Sequence, residues 1–187
     1  MTGDECPVAG VRSLEHTADV GLEVEAPALD ELFSRGARGA MWMVLGRLPG
    51  EAGSGSPGGG GAEGEEAGEK PDEGTGEEAG EAGSAPSSGT RDVELKEGDL
   101  ASLFRSWLRE ILFWQETEGF VTRDVRFRFL PAPSCHAEDG QAFCLEAKVE
   151  GNVEEGPVER EIKGVTYHGL EVQEKEDGWR ARVIFDV

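Results

Sequence analysis

The stretch Glu161–Val187 constrains this chain most, because Asp177-Gly178, the strongest hairpin signal in the sequence, lies there between two alternating segments. A type I′ turn needs positive φ at both central residues, which an Asp-Gly pair supplies. Folding the arms back on that turn sets Trp179 opposite Glu176, Val183 opposite Val172 and Phe185 opposite Leu170. Leu170, Val172, Trp179, Ala181, Val183 and Phe185 then share one face, as a two-residue period demands. The same register predicts Asp186 opposite Gly169, and Val187 with its terminal carboxylate opposite His168, with Lys163 at the same end of the sheet. That end is the candidate site.

Upstream segments supply the layers such a hairpin needs. Val20, Leu22, Val24 and Ala26 alternate with Gly21, Glu23 and Glu25, the pattern of a half-buried strand. The polar run Glu15–Asp19 before it reads by pattern as a turn, with Thr17 or Asp19 bonding nearby amides. Pro27 opens a helix with Asp30 and Glu31 in its first turn, where the macrodipole favours acids. Its apolar stripe includes Leu32, Phe33, Ala37 (or Gly36), Ala40, Met41 and Val44, and its small residues allow close approach to a sheet. Trp42 and Met43 fall off the stripe as rim residues, and the helix stops near Leu45-Gly46.

Arg91–Leu95 reads as a short strand, and Asp99 as the N-cap of a second helix. That helix carries Leu103, Phe104, Trp107, Leu108, Ile111 and Leu112 on one stripe and stops at Gly119, with Trp114 partly exposed. Val125, Phe127 and Phe129 pair antiparallel with Phe143–Val149, leaving Arg126 and Arg128 on a solvated face. The sum is an α+β fold, two amphipathic helices packed on one side of a mostly antiparallel sheet.

Between Pro49 and Thr90 the composition changes to Gly, Glu, Ala, Ser and Pro, with no aromatic, Val, Ile or Leu from Glu51 to Thr90. Such a segment buries too little apolar area to offset chain entropy, so 49–90 is predicted to be a disordered acidic insert in a single domain spanning 1–187. Ten acids against Lys70 give it −9 of the formal −21. A charge that negative argues against a phosphate-tracking nucleic-acid binder of the usual basic type, while leaving room for a local positive site or a partner that holds the nucleic acid. The amino end lacks a signal-peptide layout and no apolar run is long enough for a membrane span, which predicts a cytoplasmic protein. Cys6, Cys135 and Cys144 show no CxxC spacing, so reduced thiols are predicted. A zinc site at Cys135, His136 and Cys144 would be short of the usual four ligands.

No phosphate loop, GxSxG elbow or HExxH helix is present. The terminal cluster offers hard oxygen donors, which suit Mg²⁺, Ca²⁺ or Mn²⁺ better than a soft metal. Lys163 is the alternative compensator for those acids and needs no metal.

Three motifs in order, Glu15-His16-Thr17-Ala18-Asp19-Val20-Gly21, Lys163-Gly164-Val165-Thr166-Tyr167-His168 and Phe185-Asp186-Val187, resemble those of the archease family. The resemblance spans nearly the whole chain except 49–90 and 131–139. It implies an archease-like, SHS2-type fold and a non-enzymatic cofactor of an RtcB-type RNA ligase, promoting histidine guanylylation and multiple turnover in tRNA splicing and RNA repair. It further implies a divalent, Ca²⁺-like metal site on Asp19, Asp186 and the Val187 carboxylate. Lys163 becomes a contact to the ligase or its nucleotide, and His16 and His168 line the site. The resemblance thus turns Asp19 from a turn residue into the third carboxylate of the terminal cluster. The rival classes are a general chaperone or interaction module for nucleic-acid-modifying enzymes, and a metal-dependent hydrolase.

Overall fold

The computed structural model describes residues 6–15, 19–49, 88–130, 143–154 and 156–187. In chain order the elements are β1 (Val11–Glu15), β2 (Asp19–Ala26), α1 (Leu29–Leu45), β3 (Ser88–Glu97), α2 (Leu100–Glu118), β4 (Phe120–Leu130), β5 (Phe143–Val153), β6 (Gly164–Val165), β7 (Glu171–Lys175) and β8 (Gly178–Asp186). The α+β class holds, but the strands form two antiparallel sheets rather than one. One is five-stranded, running β1-β2-β8-β6 with β7 also on β8; the other is three-stranded, in the order β3-β5-β4.

Both helices follow their local chemistry. In α1, Asp30 and Glu31 occupy the first turn, Ala28 is an N-cap with no side-chain bond, and Gly46 closes the helix at φ 67. In α2, Asp99 accepts from the Ser102 amide at 2.8 Å, and Gly119 closes the helix at φ 64. The small residues of α1 set how closely the layers meet. A Cβ at Gly36 would come 2.6 Å from the Phe104 ring of α2, and one at Gly39 would come 2.9 Å from Leu22 of β2 and Val11 of β1. Real side chains do not approach that closely, so α1 needs glycine at both contacts.

The inner faces of the two sheets meet the helices in one core. Val20, Leu22 and Val24 of β2 face Phe185, Val183 and Ala181 of β8, and all six are buried. From the three-stranded sheet, Phe127 and Phe129 pack edge-on against Phe33 of α1. Trp107 of α2 is fully buried, packs on Phe127, and donates from Nε1 to the Phe33 carbonyl at 3.1 Å. A buried indole N–H without an acceptor would cost about 1–3 kcal/mol, so this bond fixes how the two helices face each other.

Several details depart from the pattern-level reading. Met43 is buried, not a rim residue, and Trp114 is buried as well. The guanidinium of Arg91, in β3, lies over Trp114 and over Phe120 of β4. Phe113 is the exposed aromatic of that turn, at 55%. β3 starts at Ser88, earlier than its apolar residues suggest, because it pairs along β5 as far as Ser88 with Asn152. Cys144 is in a disulfide, against the expectation of reduced thiols, and so is not a thiolate for zinc; Cys6 is a free, buried thiol whose pKa burial pushes up. Cys135, His136 and nearly all of the acidic insert lie outside the described residues.

Candidate functional site

The terminal segment does not form one long hairpin. The loop is Glu176-Asp177, closed by Lys175 opposite Gly178, so Val172 faces Ala181 and Trp179 faces Glu174. The pairing is thus two residues off the predicted register, an even shift that keeps the predicted inner face inward. Gly178, at φ 137, starts the strand because a Cβ there would lie 2.3 Å from the Ala26 carbonyl. Long-range packing, not the turn dipeptide, sets the register.

A second break follows at Gly169, which has φ 63, with the Leu170 amide bonded to the Tyr167 carbonyl. Beyond it the chain returns to β8 as the separate strand β6. Phe185 therefore faces Val165, not Leu170, and Asp186 faces Gly164, not Gly169. Val187 is not set opposite His168. That histidine is exposed in the turn beside Gly169, where a Cβ would touch Ile184 at 3.2 Å, one outward position along β8 from Asp186.

Asp19, the first residue of β2, is the direct cross-strand partner of Asp186, the last residue of β8. The aspartate that pattern alone assigns to a turn thus stands beside the terminal one, although the whole chain separates them. Directly opposed residues of an antiparallel pair share a face, with Cβ atoms roughly 4.5–5.5 Å apart. Both are exposed. The Val187 side chain packs against the core, which fixes the residue after Asp186 in the same place.

Lys163 lies at this end too, nearer than the hairpin register put it: its amide donates to the Asp186 carbonyl at 2.8 Å. Its ammonium forms no ion pair with Asp19 or Asp186 among the described residues, so it does not neutralise them. Among the described residues, no three His, Cys, Asp or Glu side chains converge there as a complete metal cage. Two opposed aspartates are what this end offers a hard cation, and carboxylate oxygens fit the oxygen-rich, partly hydrated coordination of such ions. His16 lies outside the described residues.

The outward face of the five-stranded sheet explains why the acid pair stands out. Towards its other end, Glu23 faces Arg12 on one side and Arg182 on the other, and is ion-paired to Arg12 and Arg180. Arg180 also meets Glu25 at 3.9 Å, and these acids raise its pKa, the Glu23 hydrogen bond most of all. Between that ladder and the aspartates runs an uncharged row, Leu14, Gly21 and Ile184, in register. An open groove at the far end, lined by Glu25, Arg35 and Arg180 among others, has those charges satisfied internally.

A sequence model of the Archease protein family (MTH1598/TM1083) matches residues 61–187, more than half of the chain. The chain belongs to the archease family. A protein archease of Methanosarcina acetivorans is 28% identical over 180 residues, covering 93% of each chain. One of Methanosarcina barkeri is 35% identical over 100 residues, 52% of this chain and 64% of that protein. One of Thermococcus gammatolerans is 36% identical over 101 residues, covering 52% and 66%. In the last two cases the aligned stretch spans less than two thirds of the relative. The solution structure of Methanobacterium thermoautotrophicum protein 1598 superimposes with a TM-score of 0.58 over 95% of this chain and 99% of that one, at 23% identity, and so shares the fold. No helix among the described residues is long and apolar enough to cross a membrane.

Proposed function

We propose that this chain is a non-enzymatic activator of an RtcB-type RNA ligase, acting in the cytoplasm in tRNA splicing and RNA repair by promoting guanylylation of the ligase histidine and its multiple turnover. The observation that carries this reading is the Asp19–Asp186 pair, opposed across β2 and β8 and uncompensated by any cationic side chain among the described residues. Asp19, Asp186 and the Val187 carboxylate would hold a divalent ion of the Ca²⁺, Mg²⁺ or Mn²⁺ class. Such an ion supplies Lewis-acid neutralisation of phosphate oxygens. The chain's own part is positional: the β2–β8 register holds the two carboxylates side by side, and the Lys163 amide ties the neighbouring segment to Asp186. Open coordination positions suit groups delivered by a partner better than a self-contained reaction.

The test is multiple-turnover RNA ligation with purified ligase, with and without this chain, alongside the chain incubated alone with GTP and RNA. Stimulation by the parent and none by Asp19→Asn or Asp186→Asn supports the reading. Nucleotide or RNA turnover by the chain alone would move it to the hydrolase class, and equal stimulation by all three proteins would remove the acid pair from the mechanism.

A further inference from the structure

In this strongly acidic chain most described arginines lie against a carboxylate: Arg35 on Glu31, Arg47 and Arg123 on Glu154, Arg91 on Glu118, Arg126 on Glu150. Arg105 does not. It projects from α2 to β6, the strand at the edge of the five-stranded sheet, where its Nε donates to the Val165 carbonyl at 2.8 Å. Its guanidinium carbon lies 3.9 Å from the centroid of the Tyr167 ring. Neither contact neutralises the charge. A guanidinium has five donors and the carbonyl takes one, so both Nη groups are left without a protein acceptor among the described residues.

Tyr167 is 64% exposed, so its ring is not there to fill the core. Stacked on Arg105, it fixes the plane of the fork while the Nε bond fixes its direction. Lys163 precedes the same two-residue strand and is exposed, also without an acidic partner among the described residues. One short strand therefore brings together two uncompensated cations, one of them held rigid. Arg38, Arg109, Arg160 and Arg182 also form no ion pair among the described residues, but only Arg105 has its guanidinium held by both a carbonyl and a ring. Leaving the fork free while locking its orientation suits an anion that arrives from outside, because a planar guanidinium binds phosphate through two parallel bonds and gains most when ordered beforehand.

We propose that Arg105, held by Val165 and Tyr167, forms with Lys163 a receptor for a phosphate group at the edge of β6. The ligand class is a phosphate-bearing nucleotide or RNA end. The assignment rests on the activator reading above, in which both are present.

The test uses the full chain without ligase, followed by NMR at the Arg105 Nε–H and the Tyr167 ring, with and without added divalent cation. Three probes are titrated: inorganic tripolyphosphate, GTP and a 3′-phosphorylated oligoribonucleotide. At least one probe saturates these signals, and its binding weakens about tenfold or more in both Arg105→Met and Arg105→Lys. Tyr167→Phe retains binding and Tyr167→Ala loses part of it. Saturation by GTP alone or by RNA alone identifies the source of the phosphate. With ligase present, Arg105→Lys raises the apparent KM for that source more than it lowers kcat. No response to any probe at millimolar concentration, or equal binding by folded Arg105→Met, overturns the proposal. If that happens while Asp19→Asn still abolishes stimulation, the activator reading stands without it; phosphate binding by a parent chain that stimulates no ligase would sink the activator reading instead.

Discussion

The two sheets present outward faces that treat like charges differently. On the three-stranded sheet, Arg126 faces Lys148 and Glu94 faces Glu146, both unfavourable as isolated pairs. Each is relieved by a neighbour: Arg126 reaches Glu150 at 3.0 Å, Lys148 reaches Asp92 at 3.9 Å, and Arg128 reaches Glu146 at 3.5 Å. On the five-stranded sheet the Glu23–Arg180 ladder behaves the same way until the row of Asp19 and Asp186, where no basic side chain among the described residues answers. The first face is a solvated surface that balances itself. On the second, the described ion pairs gather around Glu23 and Arg180 and none reaches Asp19 or Asp186, the kind of unrelieved charge on which the proposed function rests.

The comparison presumes that both sheets belong to one folding unit, and the largest expected effect tests this. Trp107→Ala, which empties the space between Phe127 and the Phe33 carbonyl, should cost about 3–5 kcal/mol. Denaturation monitored separately at probes in each sheet should still give a single transition; two transitions would break the comparison into two independent units. Next comes activity. Asp19→Ala should reduce ligase stimulation by about 100-fold or more, about 2.7 kcal/mol, while Arg128→Ala on the balanced face leaves it unchanged.

A smaller effect concerns acid. Burial would raise the Glu154 carboxyl, but the hydrogen bond and charge of Arg47, with bonds from Arg123 and Asn152, hold it below the usual carboxylate range. Asp99 is lowered by its bonds from Ser102. Groups depressed on folding stabilise the protein above their unfolded pKa, and that contribution is lost as pH falls through the folded value. Denaturant titrations should therefore show stability dropping on acidification below about pH 4.5, close to where an unperturbed glutamate titrates. Glu154→Gln should flatten part of that slope, at a cost of about 1–2 kcal/mol at neutral pH. The smallest effects have opposite signs on the two faces. Arg128→Ala should cost at most about 1 kcal/mol, fading in high salt. Asp19→Asn should stabilise the metal-free protein by about 0.2–1 kcal/mol by removing a like-charge pair. A destabilised Asp19→Asn would mean that the pair is structural.

How much of this was legible depended on the range of the interactions. Helix α2 announced itself fully, since Asp99, the apolar stripe and Gly119 act within a few residues of one another. The inner faces of β2 and β8 were readable from alternation. The hairpin register was not, because it turns on Gly178 packing against Ala26 and on the break at Gly169. Trp114 read as partly exposed because Arg91 and Phe120, which meet it, arrive from other strands. Asp19 carried no signal beyond a turn until the family likeness singled it out, since its partner lies at the far end of the chain. Nothing in the sequence pattern singles out Arg105, and its placement at β6 comes only from the tertiary structure.

The most direct measurement is calorimetric titration of Ca²⁺ and Mn²⁺ into the full chain and into Asp19→Asn and Asp186→Asn. One site per chain in the parent, lost or weakened by well over about 100-fold in either variant, is the predicted result, being larger than the roughly 10–100-fold loss typical of a supporting residue. No binding by the parent, or binding unchanged when either aspartate is replaced, would contradict it.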